Sequence, residues 1–352
     1  MIMTKKFDVV IGNPPYQEDS SGDATDMPPV YHLFMDAAFE VGRQTVLITP
    51  ARFLSNAGKT PKKWNEKMLA DPHLAVAHFE PDSNRLFPAL TDTIKGGIAV
   101  THRDEDRVLG PIGSFTKHPA LASVLQKVEE SHPASIMDVT INRSSHTYAK
   151  RLFDENPDAA ASIGHSNLSQ IMSNAFDVLP SYFHEDAPQD GHTYVSLLGV
   201  SQRRRVRRWM RRDYLSLHPS ADKWKVAVAK ANGTGSTTDF FGIALTNPTV
   251  LGPGTLVTNT FITIGSLDTE AQAEAMLKYL KSKFARAMLG LLKVTQDNAR
   301  PVWLHVPIQD FTVASDIDWS KSIPEIDQQL YAKYGLDADE IAFIEDNVKP
   351  ME

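Results

Sequence analysis

Cysteine is absent from the 352 residues. That excludes disulfides, thiolate catalysis and cysteine-ligated zinc. Apolar runs are short, and none approaches the ~20 residues needed to cross a bilayer. The opening Met1-Ile2-Met3-Thr4-Lys5-Lys6 has no apolar signal segment, so the cytoplasm is the expected location. Excess positive charge is missing too. The chain has 36 Lys+Arg against 43 Asp+Glu, a formal net charge of −7. A simple nucleic-acid-coating protein is thereby excluded, although an acidic enzyme can still gather its basic residues on one face. No Gly-x-Gly-x-x-Gly or Asp-x-x-x-Gly-x-Gly opens a helix. No Asp…(Asp/Glu)-x-Lys arrangement of a metal-dependent nuclease is found, and no metal site is expected.

What is present begins at the first strand. Phe7 to Ile11 is apolar and β-branched, which predicts a strand buried on both faces as in a parallel sheet. Gly12-Asn13-Pro14-Pro15-Tyr16 stops it. Each proline fixes φ and removes a donor, and the residue before it is pushed out of the helical region. The result is a rigid loop at the carboxyl end of a strand, where open α/β sheets bind ligands. Asn13 offers a side-chain carbonyl and Pro14 a backbone carbonyl. Two convergent acceptors can hold both hydrogens of an exocyclic amine and turn its lone pair outward. Tyr16 can stack on a base that has left the helix. Such a site works by positioning and electrostatic complementarity, without a nucleophilic side chain.

Asn13-Pro14-Pro15-Tyr16 after an apolar strand resembles the catalytic motif of the adenine-specific (N6) DNA methyltransferases. Tyr31 to Phe39, Val46 to Leu54 and Lys95 to Val100 resemble downstream motifs of the bifunctional restriction–modification methylases. The resemblance implies an α/β fold. It would be a partial Rossmann-like methyltransferase sheet, then a mixed α+β target-recognition domain and C-terminal helices. It implies Asn13, Pro14, Pro15 and Tyr16 as catalytic residues, S-adenosylmethionine as methyl donor and double-stranded DNA as partner. It also implies that the glycine-rich cofactor motif precedes the catalytic loop. No cofactor-binding residue is identified in this chain. Phe7 to Ile11 would then be an apolar sheet edge, an association hazard unless a partner covers it. The expectation is that a separate chain carrying the cofactor motif supplies that partner, or that the reading frame is broken.

Strands alternate with helices through the first part of the chain, which predicts a parallel or mixed sheet. Domains are expected at 1–130, 131–315 and 316–352. The second holds the most unusual local composition, seven arginines with Trp209 between Arg203 and Arg212. Arg203, Arg204, Arg205, Arg207, Arg208 and Arg211 are candidate phosphate contacts, with a solvated, carboxylate-paired helix as the alternative. Lys223, Lys225 and Lys230 add charge. Asn232 and the Gly-Thr-Gly after it suit a loop touching DNA, or a plain turn. Thr269 to Lys293 reads as one helix with a Thr269–Gln272 capping box. Its Lys278, Lys281, Lys283 and Arg286 lie off the apolar stripe and could face DNA. Trp303 to Ile308 reads as a strand or extended segment, and helices near 324–334 and 338–348 close the chain. The leading expectation is a site-specific adenine methyltransferase. The alternative is a DNA-recognition module without catalysis of its own.

Overall fold

The computed structural model describes residues 6–18, 27–55, 59–88, 94, 96–113, 115–116, 119–131, 133–141, 146–164, 170–231, 245–293 and 297–351. Asn232 and the Gly-Thr-Gly piece lie outside them. Two units are formed, Met1–Pro119 and Ala120–Glu352. No described helix is long and apolar enough to cross a membrane.

The first unit contains β1 (Phe7–Gly12), α1 (Tyr31–Val41), β2 (Gly42–Pro50), α2 (Lys62–Ala70), β3 (Leu74–Glu80), α3 (Ser83–Leu86) and β4 (Ile98–Asp104). The sheet order is β1-β2-β4-β3. β1 and β2 run parallel from Phe7↔Gly42 to Gly12↔Leu47, with α1 connecting them. β4 is antiparallel to both its neighbours. Met35, Ala38 and Phe39 of α1 and Met68 of α2 bury against Leu47, Leu74 and Ala99 of the sheet.

β1 corrects one expectation and carries another. It is not buried on both faces. As the outermost strand it leaves Phe7 56%, Val9 50% and Ile11 76% exposed. These alternate residues share one pleat face, and only Val10 on the other face packs into the core. The edge inferred from the family resemblance is what the chain presents.

The second unit contains α4 (Pro119–Glu130), β5 (Thr140–Ile141), β6 (Thr147–Tyr148), α5 (Lys150–Glu155), α6 (Pro157–Ile163), α7 (Ala175–Val178), β7 (Tyr194–Ser201), β8 (Arg204–Arg211), β9 (Leu215–Ser216), β10 (Trp224–Ala229), β11 (Thr249–Leu251), β12 (Thr255–Val257), β13 (Phe261–Leu267), α8 (Glu270–Lys281), α9 (Lys283–Gly290), α10 (Ile323–Lys333) and α11 (Ala338–Asn347). Two sheets dominate, β11-β10-β13-β5 and β12-β7-β8. Leu198, Ala227, Leu251, Val257 and Phe261 form a small apolar cluster drawn from both. The C-terminal helices share one core with α4, β10, β13, α8 and α9, so 316–352 packs as part of this unit.

The helix expected over 269–293 is two. Ser282 leaves the helical region at ψ 150, and its hydroxyl accepts from Ala285 N to cap α9. Asp327 closes the same end by accepting from the backbone N–H of Lys283 and Phe284. Burial pushes the Asp327 carboxyl up to about 6, against the pull of those two bonds. Three of the four cations expected to face DNA in this segment are held by the fold instead. Lys278 donates to the carbonyls of Trp319 and Lys321, and Lys283 pairs with Glu345. Arg286 is 1% exposed and donates to the Lys281, Ser282 and Lys349 carbonyls. Where a strand or extended segment is expected over 303–308, the chain forms a 3-10 turn, Arg300–Trp303, followed by a single bridge from Pro307 to Ser135. Pro307 cannot donate to a longer ladder.

Candidate functional site

Because β1 and β2 are parallel, their carboxyl ends emerge side by side. Asn13 follows Gly12, which pairs with Leu47, so it leaves the sheet beside Ile48 and Thr49 of β2. Asn13 and Pro15 are exposed, and Pro14 and Tyr16 are half-buried. The loop is fastened just beyond the motif. Val30 N donates to Tyr16 O at 3.1 Å, Glu18 N donates to Pro28 O at 3.1 Å, and Gln17 bridges Pro29. The four motif residues thus sit between a strand end and a tied return. They are presented outward with little freedom.

Beneath the loop lies a ring cluster. Tyr31, His32, Phe53 and Trp64 meet edge-on or tilted at centroid distances of 5.5–6.4 Å. Burial pushes the Tyr31 phenol up to about 12, opposed by Thr60 and Arg52. Burial also raises the Tyr16 phenol, with the Asn13 side chain pulling the other way. The Tyr16 hydroxyl is enclosed and has no partner at full hydrogen-bond geometry among the described residues, and the same holds for the Thr49 hydroxyl at the end of β2. Buried orphan hydroxyls are uncommon and call for a polar partner. Sequence reasoning passed over Thr49, because its significance depends on the parallel pairing that brings the end of β2 beside the end of β1.

The described residues of the first unit do not by themselves build a glycine-rich cradle for S-adenosylmethionine. Among the described residues no strand-to-helix turn of the first unit is glycine-rich. β2 runs through Pro50 into a 3-10 turn at Ala51–Ser55. β3 runs into a turn where Asp82 caps α3 by accepting from Asn84 N. The glycine pair Gly96-Gly97, at φ 90 and 79, turns the chain into β4 instead. A Cβ on Gly97 would lie 2.6 Å from the Glu80 carbonyl, so only glycine fits there. Among the described residues no three His, Cys, Asp or Glu side chains converge as a metal-ligand set.

In the second unit the arginine run is a strand, β8, paired with β7 from Tyr194↔Arg211 to Ser201↔Arg204. The expected positions divide into two groups. Arg205 donates to the carbonyls of Thr246 and Asn247 at 2.6 Å each and lies over the Phe261 ring. Arg208 pairs with Glu185. Arg211 is held by Asp213 and Glu155 and packs on Tyr214. The side chains of Arg203, Arg204 and Arg207 are exposed and make no hydrogen bond or ion pair among the described residues. Lys230 is fixed through its backbone, donating to Thr260 O and accepting from Asn298 N. Lys225 is fully buried and donates to the carbonyls of Ser220, Ala221 and Lys223. Its amine is pushed down by burial to about 8. Lys223 pairs with Asp268.

Comparison with known proteins bears on the first unit. A comparison with curated proteins gives no match. Among solved structures, the type IIG restriction endonuclease BpuSI aligns at 11% identity and a TM-score of 0.31, over 97% of this chain and 53% of that one. The chain therefore spans about half the length of that enzyme. Residues 2–87 match the family model of the Eco57I restriction-modification methylases. That segment carries β1, the Asn13–Tyr16 loop, α1 and β2, so the part of the chain similar to this family is the part that presents the candidate site.

Proposed function

We propose that this chain is the catalytic-loop and DNA-recognition portion of a site-specific adenine-N6 DNA methyltransferase of a restriction–modification system. The observation that carries the reading is the Asn13-Pro14-Pro15-Tyr16 loop at the carboxyl end of a parallel strand pair, inside the segment that matches the methylase family. The parallel β1–β2 pair with its α1 crossover is what a Rossmann-like half-sheet would contain.

In this reading the Asn13 side-chain oxygen and the Pro14 carbonyl accept the two N6 hydrogens of an extruded adenine. The nitrogen lone pair is then aimed away from the ring plane, and Tyr16 stacks on the base. The proline-fixed backbone holds the two acceptors in place before the base arrives, so little reorganisation is needed. S-adenosylmethionine is held outside the described residues. A segment carrying the cofactor motif, on this polypeptide or on another, packs along β1 and covers Phe7, Val9 and Ile11. Parallel sheets are normally covered on both faces, and here one face of the edge strand is bare. DNA contact falls to Arg203, Arg204, Arg207 and Lys230, while Arg205, Arg208 and Arg211 brace the hairpin. A second reading is a DNA-recognition subunit without catalysis of its own.

The test is modified-base sequencing of host DNA from strains carrying the intact gene, its deletion or Asn13→Ala. N6-methyladenine at a defined motif is expected only with the intact gene. A pattern unchanged by deletion overturns the proposal. A pattern lost on deletion but kept in Asn13→Ala favours the second reading.

A further inference from the structure

We propose that Gln202 and Arg203, the tip of the β7–β8 hairpin, read base edges in the major groove of duplex DNA. The inference rests on the DNA-binding reading above and assigns the tip a role different from phosphate contact.

The first ground is strain. Ser201 pairs with Arg204, so the turn has two residues, and both have positive φ: Gln202 at 50 and Arg203 at 63. This is the backbone of a type I′ turn, which Asn-Gly supplies without steric cost. Residues with a Cβ resist it. Among the described residues only Asn247 shares this conformation without being glycine. Two consecutive strained positions thus carry long side chains. Neither side chain makes a hydrogen bond or ion pair among the described residues, and both are exposed. The fold gains nothing from them. Strain kept where no internal contact offsets it marks a residue with an external role.

The second ground is shape. β12 pairs with β7 only at Ser196, Leu197 and Leu198. β8 has one outer bridge, from Trp209 to His184. Past those points no third strand pairs with them among the described residues, and they run to the tip as a two-stranded ribbon braced by α7, where Gly199 lies against the Phe176 ring and the Ser201 hydroxyl donates to Asp177. The major groove admits such a ribbon. The ribbon is stiffened near its tip by Arg205, which ties it to the Thr246 and Asn247 carbonyls.

The third ground is chemistry. Arginine pairs with both acceptors of guanine in the major groove, and glutamine pairs with the N6 and N7 edge of adenine. The tip offers one of each, side by side. Arg204 and Arg207 sit behind it on the strand, spaced to reach phosphates while the tip reaches bases.

The test is in vitro selection with the full chain and a pool of duplexes carrying a randomised core. Three proteins are compared: the unaltered chain, Q202N/R203G and R204A/R207A. The unaltered chain is expected to enrich a motif. Q202N/R203G installs the turn's preferred residues, so its melting temperature should rise by roughly 2–4 °C. Loss of one cation beside the duplex should also weaken its binding to the unselected pool. Its preference at two neighbouring base pairs should fall roughly tenfold or more. R204A/R207A should bind all duplexes more weakly with the motif intact. A motif unchanged in Q202N/R203G overturns the assignment, and so does a motif altered by R204A/R207A. A lower melting temperature in Q202N/R203G removes the strain argument and overturns it as well. Enrichment of single strands over duplexes overturns the groove assignment alone. Failure of the unaltered chain to bind any nucleic acid overturns the underlying DNA reading.

Discussion

β1 and β8 are both edge strands, and their sequences could hardly differ more. β1 is Phe-Asp-Val-Val-Ile-Gly, with three apolar side chains at least half exposed. β8 is Arg-Arg-Val-Arg-Arg-Trp-Met-Arg, whose apolar Val206 and Met210 point into the core. An edge strand exposes unpaired N–H and C=O groups that another strand can use, and charge is the usual defence. β8 has that defence and β1 does not. The difference teaches what each edge is for. β1 is fit to receive another strand and an apolar covering. β8 repels strands and is free to meet an anion.

The largest expected effect tests the loop that β1 presents. Asn13→Ala should lower site-specific methylation by about 10²–10³-fold, the scale for loss of one preorganised polar group at a reacting centre. DNA binding, measured by fluorescence anisotropy, should not change, because the motif and β8 lie in different units. A parallel loss of DNA affinity would break the division of labour between the two edges. Next comes the edge itself. Val9→Lys with Ile11→Lys places charges where β1 is bare. Association through this edge, with a second chain or with itself, should weaken by about tenfold or more in sedimentation velocity. Unchanged sedimentation would mean that the apolar edge has no occupant.

The third effect belongs to β8. Removing two phosphate contacts in Arg204→Ala with Arg207→Ala should lower the slope of log K against log salt by about 1.8. The same pair of substitutions in Arg205 and Arg211 should instead loosen the fold, since these side chains hold carbonyls and carboxylates of the chain. A salt slope that responds equally to both pairs would erase the distinction between free and bracing arginines.

The two edges were not equally legible in the sequence. The β1 loop could be read because its constraint is covalent: Pro14 and Pro15 fix their own φ, and β-branched residues set the strand before them. The caps at Thr269–Gln272 and Asp337–Glu340 were legible for a similar reason, being local and closed within four residues. The arginine run was legible only as charge. Whether it formed helix or strand depended on pairing with β7 across a turn that lacks the Asn-Gly signal. Which arginines stayed free depended on partners far away in sequence, such as Glu155, 56 residues from Arg211. The break at Ser282 was hidden by an apolar stripe that continues across it from Leu280 to Phe284, while the deciding carboxylate, Asp327, comes from another helix. Thr49 was illegible because a hydroxyl's orphan state exists only after the sheet is built.

The smallest expected effect draws the finest line, within β8 itself. Arg207 and Arg208 are adjacent, yet strand alternation sends them to opposite faces. Arg208 meets Glu185 at 3.1 Å, and that carboxylate is 83% exposed. Water can replace the guanidinium around so exposed a partner. Arg208→Ala should therefore change stability by no more than about 0.5 kcal/mol in a denaturant melt. Because its charge is already paired, it should also leave the salt slope of DNA binding unchanged, whereas Arg207→Ala lowers that slope by about 0.9. If Arg208→Ala lowers the slope as much as Arg207→Ala does, Glu185 gives way to phosphate on binding. Arg208 would then join Arg204, which lies on the same face of β8, as a phosphate contact.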